Sequence, residues 1–324
     1  MPKVIVAISG GTDSSVAAAL LKRAGFDVGG VFFRLYDSSG FRGGEKRAKK
    51  IAKILKIPIQ VLDLRKEFKE MVIDYFLKEY KAGRTPNPCV VCNKEIKFKF
   101  LLKKARVLGA DLVATGHYAR LKQGKLLRAK DKEKDQSYFL WQLSQKQLKR
   151  VLFPVGGYIK EEVKILARKF KLPVFEAPES QEVCFEFSLQ QNPGPIRYAP
   201  PGGAYLGNHQ GLAFYTIGQR KRIGLSGGPY WVLDKDLKKN LLIVTKNERD
   251  LYKKELTFKK ANWVSGKTPK ISPKIKAKIR YRHKPASAIL DKNKVIFTRP
   301  QRAITPGQSV VFYRGQALLG GGIL

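Results

Sequence analysis

Residues 4–15 read VIVAISGGTDSS, an apolar run followed by a turn of small and polar residues. The run at 4–8 predicts a fully buried β-strand, and residues 16–23 predict a helix that ends at Gly25. A strand, a glycine-rich turn and a helix in this order direct several backbone N–H groups at one point before the helix. The stretch therefore predicts an anion site, with pyrophosphate as the expected ligand.

The side chains of this turn support the same interpretation. Three serines at positions 9, 14 and 15 offer hydroxyl donors. Asp13 is an unusual neighbour for bare phosphate, but a carboxylate suits a Mg²⁺ ion held against the phosphates. The turn has neither a Walker A nor a GxGxxG pattern, and Gly-Gly turns also cap helices in proteins without a ligand. Position and residue types together favour the phosphate site here.

The first half of the chain alternates predicted strands and helices. Strands are expected at 28–33, 57–63 and 111–115, and helices at 45–55, 66–80 and 93–108. This alternation predicts a doubly wound α/β fold with a parallel sheet, whose ligands bind beyond the carboxyl ends of the strands. The turn at 9–15, Phe33 and residues 115–117 all lie at such ends. Residues 37–44 are expected to form a loop.

The second half has a different pattern. Helices are expected at 138–151 and 160–170, and from about residue 199 short alternating runs predict antiparallel β-structure that ends in a small barrel. Residues 291–294 predict a hairpin turn. We expect a catalytic domain at 1–142, a mixed central domain at 143–254 and a C-terminal barrel at 255–324, with the loop 176–186 returning to the catalytic site.

The charge balance indicates a polyanionic partner. The 324 residues include 64 Lys and Arg against 26 Asp and Glu, a formal net charge of +38. Self-repulsion at this level destabilises a compact state, so nucleic acid is the favoured partner. A thermophile bias would enrich Glu alongside Lys, and acidic residues are few here. The sequence shows no signal peptide and no membrane-spanning run, so we expect a cytoplasmic protein without a membrane partner.

The three cysteines lie in two places. Cys89 and Cys92 follow a stiff Pro-Asn-Pro segment just before a helix, and Cys184 lies far along the chain. A helix N-terminus and the nearby cations Lys94, Lys97 and Arg84 predict lowered thiol pKa values. The set is compatible with a zinc site completed by a histidine, a redox pair, a persulfide–disulfide relay, or an iron–sulfur cluster with an open iron. Beside a nucleotide-binding turn and a large positive charge, sulfur transfer is favoured.

Seven ordered blocks carry a resemblance over nearly the whole chain. They are SGGTDSS at 9–15, GRTPNPCVVCNKEIKF at 83–98, TGHYAR at 115–120, KDQSYFL at 134–140, ESQEVCF at 179–185, YTIGQRK at 215–221 and PGQ at 306–308. Together they resemble the tRNA-specific 2-thiouridylase family (MnmA/TrmU type) of the ATP pyrophosphatase, or PP-loop, superfamily. Thr12 stands where Val is commoner in that superfamily.

The resemblance implies an ATP-dependent sulfur transfer to the wobble uridine of tRNA. ATP, with Mg²⁺, would adenylate the uridine C2 oxygen, and sulfur would then displace AMP to give 2-thiouridine. The implied partners are tRNAs for Lys, Glu and Gln and a sulfur donor, which is a cysteine desulfurase, a sulfur-relay protein or free sulfide. The rival functions are a non-catalytic basic RNA-binding protein and another PP-loop adenylating enzyme that acts on tRNA.

The resemblance also implies roles for individual residues. It makes Cys92 the nucleophile and Cys184 the persulfide carrier, and it adds Cys89 and Asp13 to the catalytic set. It assigns ATP to Ala7, Ile8, Ser9, Gly10, Gly11, Thr12, Asp13, Ser14, Ser15, Phe33 and Gly116. It assigns tRNA to Asn87, Pro88, Cys89, His117, Lys134, Asp135, Gln136, Arg280, Tyr281 and Gln308.

One departure from the family concerns Cys89. Many members carry Asp at this position, so here Cys89, Cys92 and Cys184 make a set of three thiols from every cysteine of the chain. Three thiolates favour a 4Fe-4S cluster with one open iron. The persulfide–disulfide relay needs only Cys92 and Cys184 and stays open beside it.

Overall fold

The structure is a computed structural model of the chain, and it describes residues 1–37, 39–173, 184–200, 203–269 and 275–324, with the backbone only at 39–42. Most of the loop 176–186 lies outside these residues, so its predicted return to the catalytic site is described only from Cys184 onward. Of the helices in the described ranges, none has the length and apolar character needed to cross a bilayer.

The described residues form eighteen strands and eight α-helices. The strands are β1 (Lys3–Ala7), β2 (Asp27–Arg34), β3 (Ile59–Asp63), β4 (Leu112–Ala114), β5 (Ala119–Lys122), β6 (Lys125–Arg128), β7 (Val151–Leu152), β8 (Gly194–Tyr198), β9 (Tyr205–His209), β10 (Trp231–Asp236), β11 (Leu241–Thr245), β12 (Tyr252–Thr257), β13 (Lys259–Trp263), β14 (Ile275–Lys278), β15 (Ala286–Asp291), β16 (Lys294–Arg302), β17 (Ser309–Arg314) and β18 (Ala317–Ile323). The α-helices are α1 (Thr12–Arg23), α2 (Ser39–Leu55), α3 (Arg65–Phe68), α4 (Asp74–Lys81), α5 (Pro88–Val91), α6 (Lys99–Val107), α7 (Gln145–Leu148) and α8 (Lys160–Lys169). Two π-helical sections, Lys69–Ile73 and Cys92–Phe98, join α3 to α4 and α5 to α6.

A five-stranded parallel sheet forms the first half of the molecule, as the sequence predicts. Its order is β3-β2-β1-β4-β7, and each neighbouring pair is parallel. Helices α1, α2 and α8 contribute to the core on one face, and α6 contributes to the core on the other. The apolar run in β1 is buried because helices cover both faces of the sheet.

Two predicted helices differ from the structure. Helix α2 begins at Ser39, inside the expected loop 37–44. The expected helix at 138–151 is instead a 3-10 turn over Ser137–Leu140, the short α7 and the strand β7. The reason is tertiary: the fully buried Trp141 donates its indole N–H to Ser309 Oγ (3.1 Å), and the Tyr138 hydroxyl donates to the Ser309 carbonyl (2.8 Å).

The second half contains two further sheets. The central sheet has the order β10-β11-β8-β9, with β8 and β11 parallel and the other pairs antiparallel. The C-terminal sheet has the order β12-β16-β15-β14-β17-β18-β6-β5. Strand β13 follows β12 after one residue and pairs with β18, so the sheet curls back on itself as a barrel. The predicted hairpin turn is confirmed, because Asp291 pairs with Lys294.

The hairpin of β5 and β6 is an unexpected member of the barrel sheet. It lies within the predicted catalytic domain, yet β6 pairs with β18 through Leu127 and Ala317. The C-terminal barrel and the parallel-sheet half are therefore joined by a strand pairing. The boundaries at 142/143 and 254/255 stay predictions.

We predict that Ser309→Ala destabilises the protein through Trp141. The substitution leaves the buried indole N–H without its acceptor, which costs about 1–3 kcal/mol of the free energy of unfolding. Urea unfolding followed by tryptophan fluorescence measures this difference. Ser287→Ala, at an exposed position of β15, is the matched control and should change the free energy by less than about 0.5 kcal/mol. Equal effects of both variants would contradict the role given to this hydrogen bond.

Candidate active site

A cavity of about 590 Å³ lies at the carboxyl ends of the parallel strands. Its wall includes Ala7 and Ile8 at the end of β1, Phe33 near the end of β2, and residues 115–117 after β4. Strands β2 and β4 flank β1 on opposite sides, so the connections that follow β1 and β4 leave the sheet in different directions. The cavity lies between these connections. This is the location that ligands occupy in open α/β sheets.

The turn after β1 forms one end of the cavity. Gly11 is the N-cap of α1 and has no side chain to cap the helix, and its own N–H donates to Ser9 Oγ at 3.4 Å. Gly10 has a φ of +79°, and a Cβ added there would lie 2.4 Å from the carbonyl oxygen of Gly44 in α2. Only glycine therefore allows the turn and α2 to approach this closely.

The serine hydroxyls of the turn hold its own backbone. Ser14 Oγ donates to the Gly11 carbonyl (3.1 Å) and accepts the N–H of Ser9 (3.1 Å). Ser15 Oγ donates to the same Gly11 carbonyl (2.7 Å) and is buried, as is Thr12. Ser9 and Ser14 line the cavity, whereas Ser15 does not. The hydroxyls fix the shape of the turn, and its amides are the better-placed donors to an anion.

Asp13 faces the cavity with two partners from distant parts of the chain. Lys160, the first residue of α8, donates to both carboxylate oxygens (2.7 and 2.9 Å), and the Tyr118 hydroxyl donates to Oδ1 (2.9 Å). Sequence analysis missed Lys160, because 147 residues separate it from Asp13 and its helix reads as a surface helix. Gly116 also approaches this point: a Cβ there would lie 2.5 Å from the Ser14 nitrogen.

The three thiols lie together at the wall of the same cavity. Cys92 is buried at the start of a π-helical section, while Cys89 and Cys184 are exposed, and all three are free thiols. Desolvation of its buried thiol raises the pKa of Cys92 to about 12. The protein atoms around the thiols of Cys89 and Cys184 also exclude water and raise their pKa values, although both residues reach the surface. Lys97 acts in the opposite direction on each thiol, but desolvation is the larger effect. The prediction of lowered thiol pKa values is therefore wrong for this structure.

Aromatic packing holds the segment that carries Cys184. The ring of Phe185 is buried and makes edge contacts with Phe68 (5.8 Å) and Phe76 (5.2 Å) of the α3–α4 helix. Two residues later, Phe187 packs on Phe76 at 4.7 Å. Alternate side chains of this segment thus anchor it beside the cavity and place Cys184 in its wall.

All three cysteines of the chain line this one cavity. In the described ranges, no three His, Cys, Asp or Glu side chains lie close enough together to hold a metal ion, so the predicted zinc site is not formed there. Three thiolates that hold an iron–sulfur cluster would each bind a different iron atom. The cluster and the persulfide–disulfide relay both stay predictions.

Some residues predicted to contact tRNA lie in the cavity wall. They are Pro88, Cys89, His117 and Gln136. Burial, and secondarily the charge of Lys97, lowers the pKa of His117 to about 3, and its Nδ1 lies 2.8 Å from Thr115 Oγ1. His117 is therefore neutral at physiological pH, and it can orient a ligand by hydrogen bonding but cannot supply a positive charge.

The other predicted tRNA residues lie outside the cavity wall, and several bond within the protein. The buried carboxylate of Asp135 accepts the N–H groups of Ala129 and Ser137 (both 3.1 Å). The guanidinium of Arg280 donates to the carbonyls of Ile217 (2.9 Å) and Ala303 (3.0 Å). Gln308 Nε2 donates to the Thr85 carbonyl (2.9 Å), and Asn87 hydrogen-bonds to Tyr138. The ring of Tyr281 packs on the ring of Phe139 at a centroid distance of 4.4 Å, and Lys134 is half-buried. Contact of these residues with tRNA stays a prediction.

Three known family profiles match successive segments of the chain. A family profile described as "tRNA methyl transferase HUP domain" matches residues 2–187. Profiles described as "tRNA methyl transferase PRC-barrel domain" and "Aminomethyltransferase beta-barrel domain" match residues 185–246 and 253–324. The matched segments follow the order of the parallel sheet, the central sheet and the barrel.

Curated relatives align over almost the whole length. The tRNA-specific 2-thiouridylase MnmA 2 of Thermoanaerobacter sp. (strain X514) is 44% identical over 355 residues, which cover 99% of this chain and 97% of that protein. MnmA 1 of Caldanaerobacter subterraneus subsp. tengcongensis is 45% identical with the same coverage. MnmA of Syntrophomonas wolfei subsp. wolfei is 44% identical over 347 residues, 99% of each chain. The similarity thus includes the cavity and all three sheets.

We predict that His117 makes folding stability sensitive to acid. The unfolded chain protonates this histidine near its ordinary pKa of 6.5, but the folded protein does so only near 3. The stability contribution is complete above about pH 6.5 and is lost as the pH falls towards 3, because protons then bind the unfolded state. Urea unfolding of wild type and His117→Gln between about pH 7 and pH 5 should show the weaker pH dependence in the variant. Parallel curves would contradict a half-buried His117 that stays neutral in the folded protein.

Proposed function

The chain belongs to the family of tRNA-specific 2-thiouridylases, enzymes of tRNA sulfur transfer, and we propose that it uses ATP to thiolate the wobble uridine of tRNA. One observation carries this proposal: a single cavity has the glycine-rich turn that is predicted to bind nucleotide at one end and all three cysteines of the chain in its wall. Adenylation modifies the uridine C2 oxygen and sulfur then attacks C2 itself, so both reagents have to reach one space.

The end of the cavity near Gly10 suits the triphosphate of ATP. The backbone amides before α1 would bind phosphate oxygens, and the adenine would lie towards Phe33 and Gly116. The uridine C2 oxygen attacks the α-phosphorus, the bond to the bridging oxygen breaks, and pyrophosphate leaves. Mg²⁺ would be held mainly by the oxygens of the nucleotide, because both carboxylate oxygens of Asp13 accept Lys160 in this structure. The amides and the fixed turn orient the phosphates for in-line attack.

Two thiols are sufficient for a persulfide relay. A terminal sulfur carried by Cys184 attacks the adenylated C2 carbon, and AMP leaves with the electron pair of the broken C–O bond. Cys92 then attacks the Cys184 sulfur, which releases the thiocarbonyl of 2-thiouridine and leaves a Cys92–Cys184 disulfide. Both residues lie in the wall of the same cavity. Lys97 in that wall stabilises the anionic sulfur that each step requires.

The third thiol keeps the cluster route open. Cys89, Cys92 and Cys184 would hold a 4Fe-4S cluster, which supplies an iron atom that can bind exogenous sulfide. In that case Cys92 and Cys184 act as ligands and form no disulfide. Cys89 separates the two routes, because the relay does not use its sulfur.

The substrate side of the proposal depends on charge and on access to the uridine. A formal charge of +38 suits a polyanion such as tRNA, and a base buried in an anticodon stack has to be flipped out to reach the cavity. Neutral His117 and Gln136 offer hydrogen bonds to such a base. We also propose tRNAs for Lys, Glu and Gln as substrates, with a cysteine desulfurase, a sulfur-relay protein or free sulfide as donor in the cytoplasm.

The proposal predicts that Cys92→Ser and Cys184→Ser each abolish thiolation. Each variant should still bind tRNA in a gel-shift assay, because neither thiol contributes to the positive charge. Thiolation is measured as 2-thiouridine in digested tRNA by mass spectrometry, with ATP present or absent. Retained thiolation in either variant would contradict these roles, and ATP-independent thiolation would exclude adenylation. Binding without any thiolation by wild type would favour a non-catalytic RNA-binding protein.

The same assay distinguishes the two sulfur routes. Protein purified without oxygen is compared before and after reconstitution with iron and sulfide, and its iron content and visible absorbance are recorded. If only the cluster-loaded protein thiolates tRNA with sulfide, and Cys89→Ser loses both iron and activity, the three cysteines are ligands. If iron-free protein turns over with a persulfide donor and Cys89→Ser stays active, the relay operates.

A further inference from the structure

The turn at 306–308 of the barrel is bonded to the segment that leads to Cys89. Thr85 donates its backbone N–H to the Pro306 carbonyl (2.8 Å), and Gln308 Nε2 donates to the Thr85 carbonyl (2.9 Å). Both backbone groups of Thr85 are therefore held by one turn, although Gln308 lies 223 residues further along the chain. The family resemblance assigns Gln308 to tRNA and does not indicate this contact.

The backbone of this turn lies close to Thr85 and is fixed by the residue that follows β18. A Cβ at Gly307, whose φ is +91°, would lie 3.0 Å from backbone atoms of Thr85. Gly307 donates its N–H to the Leu324 carbonyl (2.9 Å), and Leu324 donates its N–H to the Gln308 carbonyl (2.9 Å). The position of the Gln308 backbone is thus set within the barrel, and its side chain extends from there to Thr85.

The residues between Thr85 and the thiols form a short, stiff connection. Pro86 and Pro88 are buried, and their rings fix φ at both positions. Pro88 is the first residue of α5, Cys89 is the second, and Cys92 directly follows this helix. A displacement of Thr85 would therefore move the start of the helix and both cysteines with it.

The barrel supports the same connection at a second point. The side chain of Asn87 hydrogen-bonds to Tyr138, and the Tyr138 hydroxyl donates to the Ser309 carbonyl in β17 (2.8 Å). Ser309 directly follows Gln308 in the chain. Two neighbouring residues of the barrel thus hold the connection, one directly through Thr85 and the other through Tyr138.

We infer that Gln308 is a positioning residue for Cys89 and Cys92 and not a contact for tRNA, an inference that rests on the proposed role of these thiols. The side-chain amide of Gln308 fixes Thr85, and the two prolines transfer this constraint to the wall of the cavity. The barrel then contributes to sulfur transfer before tRNA binds, because it holds two of the three thiols in the geometry that the reaction needs.

Hydrogen exchange and thiol alkylation in the absence of tRNA and ATP test this role. Gln308→Ala removes the donor to Thr85, and amide exchange in the peptide 85–92 is expected to rise about 3- to 10-fold, because one hydrogen bond no longer opposes local opening. Alkylation of the buried Cys92 by iodoacetamide should rise by a similar factor. Mass spectrometry of peptides measures both rates.

Two further variants control for shape and for folding. Gln301→Ala is the matched control and should match wild type, since Gln301 is also half-buried in the barrel but its amide donates to carbonyls of its own strand. Gln308→Glu keeps the shape of the side chain and replaces the donor by an oxygen, so it should loosen the peptide at least as much as Gln308→Ala. Tm values of all variants separate local opening from a folding defect, and Gln308→Glu decides the question if Gln308→Ala folds poorly.

The thiolation assay separates positioning from tRNA binding. With saturating tRNA and ATP, Gln308→Ala is expected to thiolate about 10-fold more slowly, as for misplaced reacting groups. Its tRNA affinity in a gel-shift assay should equal that of wild type, so the loss lies in the catalytic rate and not in KM.

Two results would overturn the inference. Exchange and alkylation rates that change in neither Gln308 variant would show that this bond does not hold the segment. Weaker tRNA binding with an unchanged catalytic rate would make Gln308 a tRNA contact. A wild type that does not thiolate tRNA counts against the proposed function instead, and the exchange and alkylation rates then decide the role of Gln308 by themselves.

Discussion

The close approach of three backbone segments at the turn after β1 constrains the rest of the site. Gly10 meets the Gly44 carbonyl from one side, and Gly116 meets the backbone of Asp13 and Ser14 from another. Any side chain at Gly10 or Gly116 would separate these segments, because a Cβ would lie 2.4 to 2.5 Å from backbone atoms. The cavity wall thus combines residues from β1, α2 and the segment after β4. The close backbone contacts between the turn, α2 and this segment fix their relative positions.

The two ends of the cavity have different electrostatic environments. At the end with the turn after β1, charged side chains bond within the protein, as in the Asp13–Lys160 pair and the contact of Arg47 with the Gly10 carbonyl. At the sulfur end, desolvation dominates and raises the thiol pKa values despite Lys97. A neutral thiol is a poorer nucleophile than a thiolate, so the environment of the folded protein lowers the reactivity of these thiols.

The barrel is joined to the catalytic half by specific polar contacts rather than by a simple linker. Trp141 and Tyr138 bond to Ser309, Gln308 bonds to the Thr85 carbonyl, and Arg280 bonds to carbonyls of the central part and the barrel. The loop before Cys89 is therefore supported by the C-terminal end of the chain.

Local sequence was sufficient to predict the doubly wound sheet, the turn after β1 and the barrel, because buried strands and glycine turns leave short-range patterns. It also indicated the three cysteines as one chemical set. It could not predict Lys160 on Asp13, Arg47 beside Gly10 or the loss of the helix at 138–151, since distant partners decide each of them. The predicted lowering of the thiol pKa values was wrong for the same reason. Desolvation of the thiols exists only in the folded protein, and it raises the pKa of Cys92 by more than the charge of Lys97 lowers it.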